Sequence, residues 1–189
     1  MGLLDILTGK RKLDRPAADR LFAISTAYVT FQTSLEIASA GAAAIVFQSL
    51  STADFAAIVR DMTEVVTATA SDSATSVQSS EDSYGFSWLV LRGQDFDSLV
   101  VGVNAVSDAL QGGGYGDRIL CAVFAFQDAA QRPLYWIYNY KRGFFYPFVP
   151  SGPQQRDNER ELVLRAQAGS ELPIEPELRR WFPLWGIPV

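Results

Sequence analysis

The reactive side chains of this 189-residue sequence narrow its chemistry before any fold is considered. It has no histidine and a single cysteine, Cys121. That removes histidine-based triads, histidine-ligated zinc or iron, and the imidazole proton shuttle that works near neutral pH. Catalysis would have to use carboxylates, Lys, Arg, Tyr or Ser, or a borrowed cofactor. Several clusters could attempt it. The run "GGGYG", 112–116, could cradle a phosphate with its backbone N–H groups. It lacks the P-loop lysine and follows a helical repeat, so a helix-ending turn is the simpler reading. Lys141, Arg142 and Gly143, with Arg156 and Arg160, could bind an anion, although a charged hairpin tip has the same composition. Glu81, Asp82, Asp95 and Asp97 could hold a hard cation such as magnesium, or serve as loop acids and helix caps. Glu171, Glu175 and Glu177 could act as acid and base only if a cleft gathers them. None of these patterns assigns a catalytic residue, a cofactor or a metal. The alternative left open is an enzyme or a binding protein for a small anionic ligand, using Arg and carboxylate side chains.

Two other stretches suit contact with macromolecules. In "PLYWIYNY", 133–140, Tyr135, Ile137 and Asn139 alternate with Leu134, Trp136, Tyr138 and Tyr140, so both strand faces are largely apolar. Such a strand is covered on both sides or keeps one side for a partner. "KRG" then turns into "FFYPFV", where Pro147 lacks an N–H and marks an edge strand or a strand end. A partner surface here would use Trp136, Tyr138, Tyr140, Lys141, Arg142, Phe144, Phe145 and Tyr146, with Arg156 and Arg160 nearby. The competing expectation is that Trp181, Phe182, Leu184, Trp185 and Ile187 fold back over the second face. At the other end, Leu3, Leu4, Ile6 and Leu7 precede Lys10, Arg11 and Lys12. This order suits a short segment lying on an anionic membrane surface, or else a frayed or docked terminus. Gly2 does not begin a myristoylation motif, because Ile6 stands where Ser or Thr is needed.

These residues need a scaffold, and composition supports one: 48% hydrophobic side chains provide a core without disulfide or metal. The division expected is an N-terminal segment 1–12, one α+β domain over 13–170, and a Pro/Trp-rich tail over 171–189 that packs on it. No run of about 18 apolar residues spans a membrane, and no signal-peptide pattern is present. With one cysteine, a reducing, cytoplasmic setting is expected, peripheral to the membrane if residues 1–12 bind there. Net charge is −5, and residues 61–110 carry eight acidic side chains against one basic, which argues against nucleic acid as a partner.

Periodicity predicts a short helix over 14–25, then strands over 27–35 and 42–50. A helix over 51–69 follows, with Phe55, Val59, Met62 and Val66 on one face and a Ser51/Asp54 cap. Residues 70–83 read as a flexible loop and 84–91 as a strand. Residues 95–110 form a helix with Leu99, Val103, Val106 and Leu110 aligned. Strands are expected over 118–126, 133–140 and 144–149. The last helix, 157–169, would be capped by Asn158 and Glu161 and stopped by Gly169. The fold class that results is α+β: an antiparallel sheet of five to seven strands in two layers, with helices mainly on one face.

Five segments together resemble the PspA-associated protein PspAB family: "MGLLDILTG", "SSEDSYGFSWLVL", "YKRGFFYPFVP", "RDNERELVLRAQ" and "LPIEPELRRWFPLWG". The similarity runs over nearly the whole chain, and the last three segments are its most specific part. The resemblance implies a small bacterial cytoplasmic accessory protein of the phage-shock, envelope-stress response. Its implied partner is the membrane-binding phage shock protein A (PspA) or a related component. It implies no enzymatic activity and transfers no catalytic residue.

Overall fold

A computed structural model describes residues 18–69, 76–82 and 84–189. The N-terminal segment, with Leu3, Leu4, Ile6, Leu7, Lys10, Arg11 and Lys12, lies outside the described residues.

Strand β1 (Ile37–Gln48) is the axis of the molecule. Its residues Ala42–Phe47 are all buried, as a strand covered on both faces requires. Hairpin partners flank it: β2 (Ser76–Glu81) and β3 (Phe86–Arg92) on one side, β4 (Ile119–Asp128), β5 (Pro133–Asn139) and β6 (Phe144–Phe148) on the other. The sheet order is β2-β3-β1-β4-β5-β6, and every pairing is antiparallel. A two-stranded ribbon, β7 (Pro150–Gly152) with β8 (Gln155–Arg156), follows. This is the α+β class, with the sheet inside the expected strand range.

Helices α1 (Ala23–Ser34), α2 (Ala53–Thr69), α3 (Phe96–Gly112) and α4 (Asn158–Ala168) share one face of the sheet, and a short helical turn, Ala18–Leu21, leads into α1. Strand alternation supplies their floor: Ala43, Ile45 and Phe47 of β1, Leu89 and Leu91 of β3, Phe124 and Phe126 of β4, Trp136 and Tyr138 of β5. Helix α3 lays Leu99, Val103, Val106 and Leu110 on this floor, all buried. Asp95 caps it, accepting hydrogen bonds from the Ser98 hydroxyl (2.5 Å) and the Ser98 N–H (2.9 Å), and these bonds, the hydroxyl's first, hold its carboxyl below the usual range. The "GGGYG" run ends α3: Gly113 is the C-cap, Gly114 takes φ +85°, and the Tyr115 ring packs edge-on against Phe55 at 5.0 Å.

Two sequence expectations fail. Residues 27–35 form most of α1 instead of a strand. Tyr, Val, Thr and Phe favour strands locally, but Ile24, Ala27 and Phe31 fall at helical spacing and are fully buried. Phe31 stacks on Trp136 (5.3 Å, 11° between ring planes), and Tyr28 meets Phe96 at 4.4 Å. Tertiary packing overrides propensity there. The expected loop over 70–83 contains β2, paired with β3 from Ser76↔Arg92 to Glu81↔Ser87. As the outermost strand it needs only one neighbour, and its polar residues suit an edge. The caps also shift by one residue. Thr52 rather than Ser51 accepts from the Phe55 N–H (3.4 Å), and Asp157 rather than Asn158 accepts from the Arg160 N–H (2.9 Å).

Candidate interaction face

The second face of the sheet carries Ala44 and Val46, Trp88 and Val90, Cys121 and Val123, Ile137, Tyr146 and Phe148. A strap made of residues 181–189 lies on part of it: Trp181 is buried, and Leu184, Trp185, Ile187 and Val189 pack against this cluster. Trp181 stacks on Tyr146 (6.3 Å, 21°), and Trp185 meets Phe148 edge-on at 5.2 Å. The strap is neither helix nor strand. Its carbonyls are met by side-chain donors: Arg156 Nη1 donates to Trp181 O (2.7 Å), the Tyr146 hydroxyl to Phe182 O (3.1 Å), and Arg92 Nη2 to Pro188 O (2.8 Å). Pro183 and Pro188 have no N–H to satisfy.

Two ionic latches fix the start of the strap. In the first, Arg142 donates to Glu175 from Nε (2.5 Å) and from Nη2 (3.3 Å). Glu175 is only 2% exposed, so this forked pair satisfies a buried carboxylate. The Glu175 carbonyl accepts from the Trp181 indole (3.0 Å), and its N–H donates to Phe145 O (2.8 Å). Residues 173–175 thereby cover the outer edge of β6, where Pro147 sits. In the second latch, Glu161 is 1% exposed and accepts from Arg156 Nε at 3.0 and 2.9 Å and from the Val149 N–H at 2.9 Å. Arg156 Nη2 lies 2.7 Å from Glu161 Oε2, and its guanidinium sits over the Phe148 ring at 5.4 Å. Burial pushes the Glu161 carboxyl above its usual range, against the pull of Arg156 and the Val149 N–H.

The residues singled out from the sequence therefore separate. Trp136, Tyr138, Tyr140 and Phe145 are buried on the helix side, and Tyr146 is buried beneath the strap. Arg156 belongs to the second latch, while Arg160 pairs with Asp128 (3.1 Å), which Arg132 also holds (2.8 Å). Only the hairpin tip stays at the surface. Lys141 is exposed, Gly143 takes φ +68° in the turn, and the half-buried Phe144 ring lies between the guanidinium groups of Arg20 (5.5 Å) and Arg142 (5.8 Å). Glu177 completes the network with Arg142, Arg179 and Arg180 (3.9, 2.6 and 3.1 Å). The space where Arg156 meets Glu161 is a cavity of only about 110 Å³, with the arginine already engaged.

Sequence reasoning missed the open part of the second face. Beside the strap runs an apolar groove of about 460 Å³, lined by Trp88, Leu120, Cys121, Tyr146, Phe182 and Leu184, among others, with Asp82 and Lys141 as its charged groups. A bulge in β4 helps to build it. Pairing shifts between Val46↔Cys121 and Phe47↔Ile119, so Leu120 is the extra residue and joins Cys121 on this face. Asp82 closes the β2–β3 turn, accepting from the N–H groups of Tyr84 (2.9 Å) and Phe86 (3.0 Å) and from the Trp88 indole (2.9 Å). Burial pushes its carboxyl up, but these donors outweigh that and hold it below the usual 3.8. Burial also pushes the Cys121 thiol up to about 12, as for an inert floor residue. The only sequence signals for this groove were the strand alternation and the tail aromatics.

Among the described residues, no group of three or more Cys, Asp or Glu side chains could hold a metal ion. No described helix is long and apolar enough to cross a membrane. No curated protein and no solved structure matches the chain. The sequence profile of PspA associated protein B matches residues 1–189 from end to end, and the chain belongs to that family.

Proposed function

We propose that this chain is a non-enzymatic accessory protein of the bacterial phage-shock, envelope-stress response that binds PspA. The observation that carries this reading is membership, over residues 1–189, in a family described by its association with PspA. The chemistry of the chain agrees with it. There is no imidazole, the one thiol is buried, and the arginines and glutamates that anchor the tail, Arg142 with Glu175 and Arg156 with Glu161, neutralise one another as latches. What the molecule offers to a partner is surface: Lys141, Phe144 and Arg142 at the hairpin tip, and the apolar groove next to it.

In this reading the protein works in the cytoplasm, with residues 1–12 against the inner face of the membrane. Arg20 supports that placement, because the first described turn brings its guanidinium to the hairpin tip, close in sequence to Lys10, Arg11 and Lys12. The test is a pull-down and light scattering of the purified chain with PspA, with and without anionic liposomes. A complex in either setting is expected, and its absence from both refutes the proposal. Deleting residues 1–12 should abolish liposome sedimentation in the absence of PspA; unchanged sedimentation would exclude the membrane contact.

A further inference from the structure

We infer that the groove beside the strap is the seat of an amphipathic α-helix from the protein partner, one that presents an acidic side chain to Lys141. This rests on the reading of the chain as a PspA-binding module and assigns the surface and the chemistry of the contact. Two large apolar groups on its wall, Phe182 (59% exposed) and Leu184, are only partly covered, as are Phe86 and Leu120 on its floor. The strap and the groove lie on one continuous sheet face. Residues 181–189 cross this face from Tyr146 and Phe148 of β6 to Arg92 of β3, and the groove is the unroofed continuation toward the opposite strand ends, at Val46, Phe86, Trp88, Cys121 and Asn139. A partner segment would complete a layer that the chain has already begun.

The form of the occupant follows from its backbone. Strands β3, β1 and β4 are interior strands whose ladder hydrogen bonds are spent on each other, so they have no edge for an extended peptide to join. The strap lies extended on this face only because prolines remove two donors and Arg156, Tyr146 and Arg92 meet three of its carbonyls. The groove lining offers less: among the described residues its uncommitted donors are the Asn139 amide nitrogen and the Lys141 ammonium. Asp82 is engaged by three donors, and Asn139 Oδ1 already accepts from the Lys141 N–H (3.0 Å). An extended segment there would bury unpaired N–H and C=O groups, whereas a helix satisfies its own.

Charge selects the side chains. Of the two charged groups lining the groove, Asp82 is committed to the β2–β3 turn and the Trp88 indole, while Lys141 is exposed and has no ion pair among the described residues. The complementary helix carries an apolar stripe for the floor and a carboxylate at the Lys141 end.

The experiment measures the affinity of full-length PspA for four proteins: wild type, Lys141→Glu, Lys141→Arg and Phe182→Ala. Lys141 and Phe182 are exposed, so these variants should keep the wild-type melting curve. Charge reversal should weaken binding by about tenfold or more, Phe182→Ala should weaken it measurably, and Lys141→Arg should restore near wild-type affinity. Cross-linking from a photoreactive residue at position 184 should then capture a helical PspA segment with an acidic residue beside its apolar stripe. Wild-type affinity in both Lys141→Glu and Phe182→Ala overturns the groove assignment and leaves the PspA reading intact. No binding by wild type overturns the reading and this inference with it. A concentration-dependent dimer that these variants abolish gives the groove to a second copy instead. A small apolar molecule found by native mass spectrometry and lost in Phe182→Ala gives it to that ligand. Either result contradicts the helix.

Discussion

Replacing Glu161 by Ala probes how the strap is anchored. The carboxylate is 1% exposed and joins three parts of the fold: α4, which carries it; the Val149 N–H beyond β6; and Arg156, which reaches on to Trp181 O. Removing it leaves a buried N–H unpaired, at about 1–3 kcal/mol, and breaks a buried ion pair, for which about 3–5 kcal/mol is usual. The two costs overlap, because the same carboxylate serves both, so a loss of about 3–5 kcal/mol in all is expected. For a chain of 189 residues this corresponds to roughly 6–20 °C in Tm. Urea unfolding followed by tryptophan fluorescence measures it, with circular dichroism checking that the sheet survives. Glu161→Gln keeps an acceptor for the Val149 N–H and should lose less. Because burial raises the Glu161 carboxyl above its ordinary 4.5, its ionisation opposes folding. The wild-type margin over the Gln variant should therefore narrow as pH climbs from about 4.5 through the raised folded value. A loss below about 1 kcal/mol for the Ala variant would mean that the strap is held by its apolar contacts alone, and would refute the latch.

Further perturbations separate the two faces and the turns. Trp88→Phe removes the indole bonded to Asp82, whereas Trp136→Phe removes an indole N–H that is buried without a partner, so the first should cost about 1–2 kcal/mol more in urea unfolding. Equal costs would contradict the role given to Asp82. Gly143→Ala should destabilise by about 1–2 kcal/mol, since φ is +68° and the nearest atom to an added Cβ is Arg20 Cδ at an ordinary 3.5 Å, leaving backbone strain as the cause; an unchanged Tm would count against that turn. With its thiol moved from an ordinary 9.0 to about 12, Cys121 should show about a thousandfold less thiolate at pH 8 than in urea, and iodoacetamide labelling followed by mass spectrometry should slow accordingly. Equal rates in the two states would place the thiol in solvent. The Asp82 carboxyl is held below its usual 3.8, so its contribution is full above that value and is lost as pH falls through the folded one; Asp82→Asn should flatten this acid limb.

The elements legible in the sequence are those whose pattern is set by burial on one side or both. Leu99, Val103, Val106 and Leu110 mark α3 because one stripe faces the sheet. The apolar runs of β3 to β5 mark strands because helices cover one face and, in part, the strap covers the other. Where the decisive partner is distant, local signals mislead. Tyr28, Val29, Thr30 and Phe31 look like a strand until Phe96, Phe126 and Trp136 are placed around them. The polar residues of β2 look like a loop because an edge strand with little to bury shows little alternation. The groove was hidden for a similar reason. Leu120 faces it through a bulge that depends on pairing with β1, and Phe182 reaches it from a segment 62 positions later in the chain. The hairpin tip, by contrast, could be read from Lys141-Arg142-Gly143 alone, because a tight turn is a local property.

Titration calorimetry of purified PspA into the purified full-length chain, at near-physiological salt and without lipid, tests most directly whether this protein acts by binding PspA. Saturable heat with a defined stoichiometry and a negative heat-capacity change is expected, since apolar surface at the groove and strap would leave water. A flat thermogram at tens of micromolar and at two temperatures, from protein whose melting curve proves it folded, would contradict it.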